Sequence, residues 1–268
     1  MGTDNEPRRI QSADRVCDIL EHLRETESAT VSEVADAVGL SPGTAHTYLS
    51  TLESRGFVRK HDDVYRLGLE LLPYGDQVRL QNDLYRAATE EIHRLAHDSD
   101  ACAHLMTEYD GRLLIFQESF GENAIGMDFH PRKRERPQSM LHCTAAGKAI
   151  LAHMPDYRVA QIIETHGLAS YTSSTVTDEA ELAAELEQIR ERGFALNDQE
   201  QMRGLRAVGA PIRYDGEHVV GAVSLSGGAS NWSGERFRQE LPEKVMRAAN
   251  AIEVNLHSEL SGTERPFV

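Results

Sequence analysis

The stretch GLSPGTAHTYLS (39–50) opens a helical segment whose outward positions are Gly43, Thr44, His46, Thr47, Ser50 and Ser54. A solvated helix would carry Glu and Lys at such positions, all the more in a 268-residue chain with 43 Asp and Glu and 28 Lys and Arg. Short hydroxylated side chains and a histidine suit a surface pressed close against a partner. They let a helix sit deep in a major groove, where hydroxyls can bond phosphates or base edges. Arg55, Arg59, Lys60 and Arg66 cluster just beyond, where backbone phosphates would pass. From 41 to 60 the only acid is Glu53, so the local charge runs against the net charge of −15.

The flanking segments can hold such a surface. Val16, Ile19, Leu20 and Leu23 recur at i, i+3, i+4, i+7, one apolar helical stripe. Thr30-Val31-Ser32-Glu33 is a capping box opening a short helix that buries Val34, Ala35 and Val38, with Gly39 as its C-cap. Ser41 as N-cap and Pro42 as first helical residue start a third helix, which buries Ala45, Tyr48, Leu49 and Leu52 and ends at Gly56. FVRKHDDVYRLG (57–68) reads as two short strands around Asp62-Asp63. Three helices and a hairpin make a winged helix-turn-helix, with Ser41, Gly43, Thr44, His46, Thr47, Ser50, Arg55, Arg59, Lys60 and Arg66 as its DNA-facing residues. Winged modules also dock proteins, and residues 8–66 hold 8 basic against 10 acidic side chains. The charge reversal from 41 to 60 favours double-stranded DNA.

An acidic excess this large argues against sequence-blind binding to polyanions and suits a cytoplasm of very high salt, where long-range repulsion is screened. Direct groove contacts then have to contribute more, because salt weakens phosphate contacts steeply. No apolar run approaches the ~20 residues of a membrane span, and MGTDNEPRRIQS lacks the apolar core of a secretory signal. Three scattered cysteines, Cys17, Cys102 and Cys143, suggest neither disulfides nor a zinc ribbon; all three read as small buried residues of a cytoplasmic protein.

Catalytic signals are sparse. His142-Cys143 could be a nucleophile or metal pair, but adjacency on one segment does not set a base beside a thiol. AAGKA lacks the leading glycine and following Ser or Thr of a phosphate loop. Its small residues instead start a helix whose free N–H groups suit a small carboxylate. The twelve histidines show no ligand spacing, so no metal ligands are assigned, zinc is left open, and no cofactor is expected. The alternative of a small-molecule-processing enzyme with a winged-helix appendage would need Cys143 or His142 for turnover.

RRIQSADRVCDILEHL, GLSPGTAHTYLSTLESRGFV, YRLG, LHCTAAGKAILA (141–152), ERGFALNDQEQMRGLRAVGAPI (191–212) and GAVSLSGG (221–228) together resemble the isocitrate-lyase-regulator (IclR) family of bacterial and archaeal transcription regulators. The resemblance spans roughly 10–255, and the acidic composition is halophile-like. It implies a winged-helix reader, a linking helix, a GAF-like effector-binding domain, and a homodimer or homotetramer on palindromic operators. It also implies a ligand pocket between TAAGKA and two strand segments, matched here by Ala145, Ala146, Asn197, Leu205, Ala207, Ser224 and Ser226. Where the family often has two acids before its E-x-x-x-G run, this chain has Asn197-Asp198-Gln199-Glu200.

The residues of the second half agree with such a domain. Leu80, Leu84, Ala87, Ala88, Ile92 and Leu95 define a connecting helix, with Pro73-Tyr74-Gly75 closing a separate turn before it. RLLIFQES after Asp110-Gly111, and AVGAPIRY and HVVGAVSLS around Asp215-Gly216-Glu217, read as strands. Thr177 caps a helix that buries Leu182, Leu186 and Ile189 up to Gly193, and a last helix runs from Phe237 to Leu256. The fold class is therefore α+β, an antiparallel sheet with helices on its faces. The divisions expected are 8–69 for the winged helix-turn-helix, 70–84 for the linker helix, 85–260 for the effector domain and 261–268 for a disordered tail. Ser224 and Ser226 alternate correctly to share one sheet face, and hydroxyl and amide donors suit an organic or aromatic acid. The basic run Arg132, Lys133, Arg134 and Arg136 reads as a solvated loop, a subunit contact or a second DNA contact.

Overall fold

A computed structural model describes residues 9–122, 124 and 140–261. The chain divides between Val78 and Arg79 into two compact units. The basic run 132–136 and the tail beyond 261 lie outside the described residues.

In the first unit, α1 (Gln11–Thr26) buries Ile19 and Leu23. Cys17, expected inside, is exposed on the opposite side of that helix. Thr30 follows in β1 (Ala29–Thr30) and caps α2 (Val31–Val38) as the capping box requires. The Glu33 carboxylate accepts the Thr30 amide at 2.7 Å, and that bond holds its pKa below the usual carboxylate value. Gly39 ends α2 in the left-handed region, and the Ser41 hydroxyl accepts the Thr44 amide at 3.2 Å to start α3 (Pro42–Ser54). The wing is β2 (Val58–His61) and β3 (Val64–Leu67), in a three-stranded antiparallel sheet of order β1-β3-β2.

The connecting segment differs from the sequence reading. Pro73-Tyr74-Gly75 lies within α4 (Leu71–Gln81), because a proline in the first turn removes only an N–H that has no helical acceptor. The break comes at Asn82, whose side chain accepts the Tyr85 amide at 3.2 Å and starts α5 (Asp83–Ser99). Leu80, assigned to the buried stripe, precedes that break and is exposed.

The second unit is a five-stranded antiparallel sheet of order β5-β4-β8-β7-β6, from β4 (Cys102–Tyr109), β5 (Arg112–Phe120), β6 (Ala195–Asp198), β7 (Leu205–Tyr214) and β8 (His218–Gly228). Asp110 and Gly111 both take positive φ and turn β4 into β5, the two-residue connection whose twist suits a hairpin. Leu105, Val208, Val223 and Leu225 face α5 and the long C-terminal helix α9 (Leu241–Ser261) in one core. The core on the other face draws on α6 (Ala145–Leu151), α7 (Asp156–His166) and α8 (Glu179–Arg192) through Ile150, Val159, Leu182 and Ile189. Asp178, not Thr177, caps α8, its carboxylate accepting the amides of Ala180 and Glu181 at 2.9 Å each. A carboxylate there also meets the positive end of the helix dipole, which a threonine cannot do.

Candidate nucleic-acid interface and effector site

All ten residues singled out in the winged unit, Ser41, Gly43, Thr44, His46, Thr47, Ser50, Arg55, Arg59, Lys60 and Arg66, are exposed. Ala45, Leu49 and Leu52 anchor α3 from beneath. Several hydroxyls are already engaged: Thr47 donates to the Gly43 carbonyl at 3.0 Å, and Ser41 and Thr44 share a bond of 2.8 Å. Thr47 therefore offers a partner a methyl group and oxygen lone pairs rather than a proton. On the wing, Arg59 and Arg66 are directly opposed across β2 and β3. Like charges in that register destabilise a hairpin. Their mutual position makes physical sense where an anion lies against both. Lys60 stands with its ammonium 5.7 Å from the centre of the buried Tyr65 ring, which limits its wandering.

In the second unit the register gathers most of the proposed pocket residues. Cys102, Ser226, Ala207 and Asn197 form one row across β4, β8, β7 and β6, and His104, Ser224, Gly209 and Ala195 form the next. Strand alternation puts both rows on one face. A Cβ at Gly209 would stand 2.6 Å from the Ala145 carbonyl carbon, so the start of α6, with Ala145 and Ala146, rests directly on this face. The Thr144 hydroxyl takes one first-turn amide there, that of Gly147, at 3.1 Å. Leu205 is half-buried at the end of β7, opposite Gly228. Ser226 is 6% exposed, and its hydroxyl has no hydrogen-bond partner among the described residues.

Asn197 is committed locally: its side-chain carbonyl accepts the Glu200 amide at 2.8 Å. Asp198 pairs with Arg206 at 2.7 Å, which lowers its pKa. Glu200 in turn receives the Lys148 ammonium at 2.7 and 2.8 Å, and Glu185 receives it at 2.6 Å. Lys148 is fully buried, and burial raises the Glu200 pKa against the opposing pull of that ammonium. Sequence reading missed this cluster because its partners lie 37 and 52 residues from Lys148.

The catalytic candidates do not converge. His142 places Nε2 3.0 Å from the Ala169 carbonyl, while the Cys143 thiol points to the Met140 carbonyl at 3.7 Å. Burial lowers the His142 pKa, and a neutral ring donating to a carbonyl is a packing histidine. A different group does assemble: Cys102, His104 and Glu118 bring a thiol, an imidazole and a carboxylate within 4.8 Å of one another. The first two are i, i+2 on β4, and Glu118 arrives from β5 by pairing with His104. No residue spacing in the sequence marks that third member.

A winged helix with an exposed short-chained reading helix precedes in sequence an α+β domain with a buried polar sheet face, an arrangement that suits a DNA-binding regulator. The IclR helix-turn-helix domain matches residues 12–62, and the bacterial transcriptional regulator IclR C-terminal domain matches residues 77–254. A probable HTH-type transcriptional regulator, ArcR, of Halobacterium salinarum is 38% identical over 256 residues, 95% of this chain and 97% of its own. The crystal structure of the Thermotoga maritima IclR has a TM-score of 0.71 at 28% identity, covering 92% of this chain and 99% of that one. An IclR homologue of Microbacterium hydrocarbonoxydans, solved with 4-hydroxybenzoate, has a TM-score of 0.76 at 22% identity over 92% of this chain and 99% of its own. The chain belongs to the IclR family of transcription regulators. These families and relatives are regulators rather than enzymes, and the enzyme alternative finds no support. Among the described residues no helix is long and apolar enough to cross a membrane.

Proposed function

We propose that this chain reads promoter operators with the outer face of α3 and reports the level of a small organic or aromatic acid held in its second unit. The observation that carries the DNA assignment is the wing: two arginines opposed in one ladder, beside a reading helix with a single acid between 41 and 60. Thr44, His46, Thr47 and Ser50 meet base edges, and Arg55, Arg59, Lys60 and Arg66 meet phosphates. The effector lies against the sheet face of Ser224, Ser226 and Ala207, under Ala145 and Ala146, with Leu205 at its edge. Asn197 shapes the wall through Glu200 rather than serving as a donor to the ligand. The unsatisfied Ser226 hydroxyl supports this placement, and the Microbacterium homologue complexed with 4-hydroxybenzoate supports the class of ligand.

Operators with two-fold symmetry need two readers, so the working form is a homodimer or homotetramer in the cytoplasm. Leu69, Leu72, Tyr74 and Val78, all more than half exposed, supply apolar surface for that assembly. Residues 8–69 form the reader, 70–84 the linker and 85–260 the sensor. Genomic binding sites mapped in the native host supply promoter fragments, and purified full chain is then competed between these and random duplex at native salt. A clear preference, weakened in Arg55→Ala and Lys60→Ala, is the expected result. Equal retention of both duplexes, with candidate acids supplied, would overturn the reading.

A further inference from the structure

We infer that Cys102, His104 and Glu118 form a divalent-cation site of the zinc class, set into the sheet of the second unit. Cys102 Sγ lies 3.4 Å from His104 Nε2, and the same nitrogen lies 3.4 Å from Glu118 Oε1. Zinc holds thiolate sulfur at about 2.3 Å and imidazole nitrogen or carboxylate oxygen at about 2.0–2.2 Å. At tetrahedral angles those lengths put sulfur about 3.5 Å from nitrogen, and nitrogen about 3.4 Å from oxygen. Both separations are already present. The third, sulfur to oxygen, is at most 4.8 Å and closes to about 3.5 Å by a side-chain movement of no more than about 1.3 Å.

Charge and burial agree with the geometry. Thiolate and carboxylate together balance a doubly charged ion, and neutral imidazole completes a site with no net charge. That balance suits side chains of which His104 and Glu118 are each 4% exposed and Cys102 wholly buried. The soft sulfur and borderline nitrogen select zinc, cobalt or nickel over magnesium and calcium, which prefer oxygen alone. The strand ladder fixes the ligands: Cys102 and His104 share one face of β4, and His104 is the direct partner of Glu118 on β5. Three protein ligands leave a fourth position open, on the face that carries Ser226 opposite Cys102 and Ser224 opposite His104.

Cobalt(II) reports such a site directly and needs neither DNA nor effector, so its outcome is independent of the regulatory reading. Untagged full-length protein, stripped with chelator, is titrated with cobalt(II) and followed by absorption. Expected are a thiolate-to-cobalt charge-transfer band and tetrahedral visible bands that saturate at one ion per chain and are displaced by zinc. Cys102→Ser abolishes the charge-transfer band, and Cys143→Ser leaves it intact. Glu118→Gln keeps the band but weakens binding by at least the roughly 10–100-fold that follows loss of a ligand's own hydrogen-bond partner. Far-ultraviolet circular dichroism of each variant confirms folding, and Glu118→Gln serves alone if Cys102→Ser does not fold. Absence of a thiolate band in the native protein, its survival in folded Cys102→Ser, or unweakened binding in Glu118→Gln overturns the assignment.

Discussion

Replacing Lys148 by Met tests how the sensor domain is held together. The Met side chain keeps most of the apolar stem, so the perturbation is the loss of an ammonium that reaches Glu185 at 2.6 Å and Glu200 at 2.7 and 2.8 Å. The two carboxylates are left in different situations. The Glu185 side chain is 23% exposed and can turn toward water, whereas that of Glu200 is 9% exposed and accepts the Asp198 amide at 3.3 Å, its own amide held by Asn197. Removing one partner of a buried pair costs about 3–5 kcal/mol, because the remaining charge is stranded. For a unit of this size the melting midpoint falls by roughly 6–20 °C. Adding Glu200→Gln removes the stranded charge and restores more than half of the loss, while Glu185→Gln in the same background restores little. The sign of the pH dependence follows from Glu200. Burial already raises its pKa above 4.5 with Lys148 present, and without the lysine it rises further. A raised native pKa is a penalty felt above that pKa and relieved as pH falls toward the unfolded value, so the cost of Lys148→Met shrinks on acidification. Molar salt barely alters it, since a buried pair is little screened. Urea unfolding of the full chain, read from pH 5 to 8, is the assay. A loss under about 1 kcal/mol at neutral pH, a cost that grows in acid, or no recovery with Glu200→Gln would refute this account.

Arg59→Ala and Arg66→Ala each weaken binding to specific and random duplex alike and reduce the slope of log K against log salt by about one, measured by fluorescence anisotropy. The same variants leave the melting of the winged unit unchanged or slightly raised, because a like-charged cross-strand pair has been removed. Ser226→Ala stabilises the second unit by up to roughly 1–3 kcal/mol in urea titration, since it deletes an unsatisfied buried hydroxyl, yet it reduces the thermal shift given by an acidic effector. Gly209→Ala destabilises the same unit by about 1–3 kcal/mol or more, because the added methyl meets Ala145 and Ala146 backbone that cannot swing aside as a side chain would.

The elements most legible in the sequence are those fixed by local chemistry. The Thr30–Glu33 box, Ser41-Pro42, and the Asp-Gly turns at 110–111 and 215–216 each depend on neighbours within four residues, and each stands where its residues indicate. Errors arose where two local readings compete. Thr177 and Asp178 are adjacent cap candidates, and the dipole favours the acid. Pro73 reads as a breaker unless the helix begins just before it, as it does at Leu71. The Lys148 cluster and the Cys102–His104–Glu118 group were illegible for another reason: both are assembled by strand register and helix packing between distant segments.

The polar sheet face shows why burial had to come from the structure. On β4, Cys102 and His104 alternate with Ala103 and Leu105, and on β8, Ser224 and Ser226 alternate with Val223 and Leu225. That pattern alone describes an antiparallel sheet with one side in water. Here both sides are covered, since all eight residues are buried. A polar row under a helix layer costs desolvation that apolar residues would avoid, and packing alone gives no reason to bear it. The cost falls on the rows that also carry a buried unsatisfied hydroxyl and a thiol–imidazole–carboxylate group. A ligand bound on this face would give the Ser226 hydroxyl the partner it lacks among the described residues, and an ion would draw the thiol, imidazole and carboxylate together.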